Sequence, residues 1–314
     1  MAGGQERVLR RRIRSVQSTK KITKAMELIA ASQIVRSLGR MTANRAYRAG
    51  IARVVVEAAK GDPAAAAKLL GAPDERRRVT VLSVVADRGL SGPYNSSVLR
   101  ATERLIAELR AEGVEVSLHT VGKKAQTYFR FRHQAVDHAV TGVSERPTFA
   151  DARAVASQVT APFLADDVDQ VLLVSTRYRS AGRQEVVVRQ LLPLPDPAQD
   201  PELSGVAASG GGPDDGSAAG TPAGGYTEFE PDVQTLLAEL APRAVESEIF
   251  TALLEGAASF FTAQQRAMAA ASDNADELIR TLSRIMNRAR QDAITTEIME
   301  IVGGAEALRH AKGA

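Results

Sequence analysis

The residues most able to do chemistry in this 314-residue chain sit in a turn. An apolar run, Val79-Thr-Val-Leu-Ser-Val-Val-Ala86, leads into Asp87-Arg-Gly-Leu-Ser-Gly92. A glycine-bearing turn between a first strand and a helix is where doubly wound sheets hold phosphates on backbone N–H groups. The spacing argues for a tight strand-to-helix turn instead: Gly89 and Gly92 are followed by Pro93, and neither G-x-G-x-x-G nor G-x-x-x-x-G-K-[ST] occurs. Ser91 lacks a G-x-S-x-G frame and has no histidine at a telling spacing, so a nucleophile is not expected there. The four histidines, His119, His133, His138 and His310, never fall at i, i+4 on one helix, and with no cysteine a transition-metal cage is not expected. Asp166-Asp167 and Asp214-Asp215 read as solvated charge, and Gly210-Gly-Gly212 as linker. No catalytic residue, cofactor or metal is expected.

Composition narrows the classes further. Aromatic residues make up 4% of the chain and Trp is absent, which suits long helical seams better than a β-sandwich. Without cysteine there is no disulfide, thiolate nucleophile or iron–sulfur cluster, in keeping with a cytoplasmic protein. The longest nearly unbroken apolar run falls far short of the roughly 20 residues that cross a bilayer, so membrane association is expected only through a partner. Net charge is +3, yet residues 1–60 hold 14 Lys or Arg against three Glu, a local balance of +11 that leaves −8 for the rest. Such a basic pole fits nucleic acid, anionic lipid or an acidic protein surface.

The elements that would position these residues follow from periodicity. From Gly4 to about Lys60 there is no proline, and Ile22, Met26, Ile29, Leu28, Val35, Leu38 and Met41 recur at helical spacing. A second long helix is expected from Pro231 to about Ala311, with Val245, Ile249, Leu253, Gly256 and Phe260, and later Leu278, Leu282, Ile285 and Ala289, forming a near-heptad seam. Uncapped patterns of this length at opposite ends of one chain point to an antiparallel two-helix coiled coil. Between them, strands at 79–86, 114–121, 168–176 and 185–192 alternate with helices at 97–109, 123–131 and 149–164. That alternation predicts a central open α/β (Rossmann-like) domain whose sheet is largely parallel. The expected division is a shaft helix over 1–60, the α/β domain over 76–195, an acidic Gly/Pro-rich linker over 196–230 and a second shaft helix over 231–314. Between Leu194 and Pro231 there are seven Asp or Glu and no Lys or Arg.

Two terminal segments carry a resemblance. Ile13-Arg-Ser-Val-Gln-Ser-Thr-Lys-Lys-Ile-Thr-Lys-Ala-Met-Glu-Leu-Ile-Ala-Ala-Ser32 and Ala289-Arg-Gln-Asp-Ala-Ile-Thr-Thr-Glu-Ile-Met-Glu-Ile-Val-Gly-Gly-Ala305 look like the signature segments of the gamma subunit of F-type ATP synthases. Asp87-Arg-Gly-Leu-Ser-Gly92, Gln190-Leu-Leu-Pro-Leu194, the stretch from Tyr226 to Pro231 and Glu246-Ser-Glu-Ile-Phe250 resemble that family's interior landmarks in order. Ser91 and Pro93 stand where the family often has Cys and Gly, which removes thiol-based regulation at that turn.

The resemblance implies a non-catalytic rotor shaft of a proton-translocating enzyme, held at the cytoplasmic face of the cell membrane. Its partners would be the alpha and beta subunits of a catalytic hexamer, the epsilon subunit and the membrane c-ring. By the same resemblance Lys20, Lys21, Lys24 and Met26, together with Arg290, Gln291, Thr295 and Glu297, would meet the beta subunit. Helix arithmetic makes the last helix the longer by about 23 residues at 1.5 Å each. The stretch from near Ala289 would then stand beyond its partner, with Ile294, Ile298, Ile301 and Val302 facing the hexamer. The rival readings are a coiled-coil protein that binds nucleic acid through its basic pole and a nucleotide-binding α/β enzyme with helical arms.

Overall fold

The computed structural model describes residues 2–61, 76–195 and 233–312. Their elements are α1 (Ala2–Gly61), β1 (Arg78–Val84), α2 (Tyr94–Ala111), β2 (Glu115–Val121), α3 (Lys123–Phe131), β3 (His138–Val140), α4 (Phe149–Leu164), β4 (Gln170–Tyr178), β5 (Gln184–Leu192) and α5 (Val233–Lys312). The acidic segment 196–230 lies outside the described residues. The chain divides into two units, one formed by residues 1–31 with 264–314 and the other by residues 32–263.

In the larger unit the strands lie in the order β3-β2-β1-β4-β5, with the first four parallel and β5 antiparallel to β4. The largely parallel sheet expected from the strand–helix alternation is therefore present. The three-residue β3 was missed, being too short to carry a period. Alternation along β1 sends Val79 and Val81 to a core shared with α2 and α3. Leu82 and Val84 enter the opposite core, with α4 and the Val245–Leu253 stretch of α5. Val245, Ile249, Leu253 and Phe260 are all buried, as the heptad reading of that stretch expects. Helix α4 starts where a capping box permits: the Asp151 N–H donates to Thr148 Oγ1 at 3.2 Å, and the Thr148 N–H donates to Asp151 Oδ2 at 2.7 Å.

In the smaller unit, Lys20 Nζ donates to Asp276 Oδ1 at 2.6 Å, and Thr23 Oγ1 and Ser272 Oγ share a buried hydrogen bond of 2.7 Å. As the first index rises by three the second falls by four, so the two helix segments run in opposite directions. Buried and half-buried positions of α1 in this unit include Leu9, Ile13, Val16, Lys20, Thr23, Glu27 and Ala30. On α5 they include Met268, Ser272, Ala275, Ile279, Leu282, Met286 and Ala289. Both sets alternate steps of four and three, the heptad pattern.

The seam is not the one the bulky residues suggest. Ile22, Leu28, Ile29 and Val35 of α1 are 58–72% exposed, and Leu278 and Ile285 of α5 also face outward, whereas Leu282 and Ala289 keep the expected inward side. Small and polar side chains let two helices approach closely, so Thr23, Ala30, Ser272 and Ala275 occupy the contact and the larger apolar groups are turned out.

Candidate functional site: a partner-facing helical surface

The turn at Asp87 is built for rigidity. Asp87 Oδ1 accepts from the N–H groups of Lys123 and Gly142, each at 2.9 Å, while Oδ2 accepts from Ser144 Oγ at 2.6 Å and from the Ser144 N–H at 3.2 Å. Burial alone would raise the Asp87 pKa, but the Ser144 hydroxyl and the three backbone donors together hold it below the ordinary carboxylate value. One carboxylate thus ties the end of β1 to the start of α3 and to the loop after β3. Ser91 is buried beneath this turn and receives Asn95 Nδ2 at 3.4 Å, while Asn95 Oδ1 accepts the Ala86 N–H at 2.9 Å. These groups organise the strand-to-helix turn, and nothing in their geometry pairs a base with the Ser91 hydroxyl.

His119 and His138 are register partners on β2 and β3, with ring centroids 4.5 Å apart. His119 is buried, and its pKa is lowered to about 4, chiefly by that burial and secondarily by His138, against an opposing pull from Asp137. The folded chain therefore keeps this ring neutral while the unfolded chain protonates near the ordinary value of 6.5. Stability should fall as pH drops from about 6.5 towards 4 and should level off below that. The loss should be about 2 kcal/mol after solvent screening. A His119→Leu variant should lack this component, which the difference between the two pH–Tm curves would report. A slope unchanged by the substitution would assign the acid sensitivity to the carboxylates. His133 is exposed with a positive φ, and His310 lies where side chains are not described.

What remains is surface. Lys20 is half-buried and engaged with Asp276, Lys21 is exposed, and Lys24 is exposed with Glu27 at 3.0 Å on its own helix. Met26 is half-buried, and Arg290, Gln291, Thr295 and Glu297 are exposed. The register fixes where α5 outruns α1: Ala2 stands eighteen residues before Lys20, and Ile294 eighteen after Asp276. Burial agrees, since among the described side chains of α5 Ala293 is the last that is half-buried and every residue from Ile294 to Ala305 is exposed. The overhang begins five residues later than helix lengths alone suggest, because pairing register, not total length, sets it. It carries Ile294, Ile298, Met299, Ile301 and Val302 on a helix that continues to Lys312. Among the described residues no helix is long and apolar enough to cross a membrane, and no group of three or more His, Asp or Glu could hold a metal ion.

A single helix displaying this much apolar surface points to a covering partner, and comparison with known proteins names the setting. A family model described as ATP synthase matches residues 5–308. The chain is 46% identical over 309 residues to an ATP synthase gamma chain of Parafrankia sp. (strain EAN1pec), covering 97% of this chain and 98% of that one. It is 47% identical over 311 residues to the ATP synthase gamma chain of Frankia casuarinae, with the same coverage. The fold is similar to a chain in the OSCP/F1/c-ring assembly of Euglena gracilis mitochondrial ATP synthase, with a TM-score of 0.65 at 16% identity over 99% of this chain and 97% of that one. It is also similar to one in the central stalk and c-ring assembly of the Tetrahymena thermophila enzyme, with a TM-score of 0.59 at 24% identity over 80% of this chain and 99% of that one. Matched along nearly its whole length, with its bulky residues turned outward on paired helices, the chain belongs to the ATP synthase gamma-chain family.

Proposed function

We infer that this chain is the non-catalytic central shaft of a proton-translocating F-type ATP synthase, coupling rotation of the membrane ring to synthesis or hydrolysis of ATP in a hexamer of alpha and beta subunits. Its terminal segments, 1–60 and 231–314, form an antiparallel coiled coil. The α/β domain over 76–195 meets epsilon and the c-ring, and the chain acts as a peripheral protein on the cytoplasmic face of the cell membrane. The observation that supports this best is the reversal of polarity on the helices, with small and polar groups between them and Ile22, Leu28, Ile29 and Val35 outside. A free-standing protein would bury those side chains, whereas a shaft in a sleeve presents them to the sleeve. The excess of +11 over residues 1–60 gives the same surface an electrostatic preference for acidic protein.

The test uses the assembled enzyme. With Lys20, Lys21 and Lys24 all changed to Gln, the isolated chain should lose less than about 1 kcal/mol, because the Lys20–Asp276 pair is solvent-screened. ATP-driven proton pumping by the reconstituted complex should fall before assembly does. Unchanged pumping in the triple variant would remove these lysines from the beta contact. Recovery of the wild-type chain from its native membrane without the catalytic subunits would overturn the shaft assignment itself.

A further inference from the structure

A chain of five alternating charges crosses the junction between sheet and helices in the larger unit. Arg48 of α1 grips Glu248 of α5 with two guanidinium nitrogens, Nη2 lying 3.2 Å from Oε2. Glu248 Oε2 lies 4.0 Å from Arg189 Nη1 of β5, and Arg189 Nη2 donates to Glu255 Oε2 of α5 at 3.0 Å and to Ser175 Oγ of β4 at 3.2 Å. Glu255 Oε1 then lies 4.0 Å from Arg177 Nε of β4. The five groups run plus, minus, plus, minus, plus, and Arg48 and Glu255 are buried. Glu248 and Glu255 are seven residues apart, two turns of α5, and so share one face.

Stability alone does not explain the arrangement, since buried ion pairs contribute little net stability over apolar groups of the same volume. The neighbouring sheet–helix contact is already apolar, through Ile249, Ala252 and Leu253 packed on the sheet. Apolar contact resists separation but is non-directional, so beyond its packing it specifies no orientation between the two surfaces. Charge-assisted hydrogen bonds are directional, and a guanidinium fork fixes orientation as well as distance. This chain of charges joins α1, α5, β4 and β5, by hydrogen bonds at Arg48–Glu248 and Arg189–Glu255 and by ion pairs at 4.0 Å at Arg189–Glu248 and Arg177–Glu255, so a load that shifts the helices along the sheet would have to break it.

We propose that Arg48, Glu248, Arg189, Glu255 and Arg177 are positioning residues that stop the sheet from slipping on the helix pair under torque. This rests on the shaft assignment above. The role is mechanical: none of the five needs to touch nucleotide or proton.

Two variants test it in the complete enzyme in inverted membrane vesicles, by measuring protons pumped per ATP hydrolysed against a rising opposing proton gradient. Arg177→Met, Arg189→Met and Glu255→Met together remove three charges and leave the Arg48–Glu248 pair intact, so no lone buried charge remains. Arg189→Lys keeps the charge but loses the planar guanidinium whose Nη2 reaches both Glu255 and Ser175. With the triple variant the isolated chain's Tm should change little, ATP hydrolysis should persist, and the pumping ratio should drop about twofold or more as the opposing gradient grows. Arg189→Lys should show the same loss at a higher gradient. A pumping ratio equal to wild type at every gradient, in whichever of the two variants assembles, would overturn the proposal. A parallel fall of hydrolysis and pumping with the ratio preserved would equally overturn it, leaving a purely structural role. If the wild-type chain fails to restore pumping to a complex depleted of it, the shaft assignment fails instead.

Discussion

Gly122→Ala should unfold the α/β domain under conditions where the wild-type chain is stable, with a loss of about 4 kcal/mol or more. Gly122 joins β2 to α3 with φ +99°, and a Cβ placed there would lie 2.3 Å from the Val85 carbonyl oxygen and 2.8 Å from its carbon. Those atoms cannot retreat. The Val85 N–H is bound to Val121 O at 3.0 Å, and the Gly122 N–H to Val140 O at 2.8 Å, so the close approach is locked into three strands. A comparison separates backbone conformation from crowding: Gly113 also has a positive φ, +82°, but has nothing within 4 Å of the added carbon. Gly113→Ala should therefore lose only about 1 kcal/mol. Denaturant titrations of the two variants would measure both, and equal losses would show that the Val85 contact is unimportant.

Replacing Ile298 and Ile301 together with Asp should leave the isolated chain's Tm within about a degree of wild type yet abolish assembly or coupling. These side chains are 55% and 67% exposed, and both stand beyond Ala293, the last half-buried residue among the described side chains of α5, so no seam contact is lost. In a sleeve each Asp would place an unpaired charge against apolar surface, a penalty of several kcal/mol. Truncation after Gly304 should spare folding and coupling, which separates the sleeve-facing turns from the end of the helix. A double Asp variant that melts far below wild type on its own would mean that these residues belong to an internal core.

Much of the fold was legible because it depends on local chemistry. The boundaries of α3 and α4 follow from periodicity and from a Thr148/Asp151 capping box, and the parallel sheet follows from strands that alternate with helices. With no proline in α1 and only Pro242 inside α5, near its start, little in the sequence interrupts either terminal stretch, which specifies long helices whatever they pack on. The signature segments around Lys20 and Ala289 disclose the family for a related reason: each is a run of consecutive residues.

Tertiary structure decided the rest. Helical spacing of Ile22, Leu28, Ile29 and Val35 specifies a helix but not which way those residues face; small groups meet at the interface, and only the pairing of Thr23 with Ser272 reveals which stripe faces inward. The start of the overhang at Ile294 depends on the Lys20–Asp276 register, a contact spanning 256 positions that no local window can see. Asp87 reads in sequence as part of a turn, and only folding brings Lys123, Gly142 and Ser144 to its two oxygens. The same holds for Arg48, Arg177, Arg189, Glu248 and Glu255, which lie scattered over about 200 residues and look individually like solvated charge. What a helix or strand will be is a local free-energy preference, but which face it buries and which charges share a low-dielectric pocket depend on the partner that long-range packing supplies.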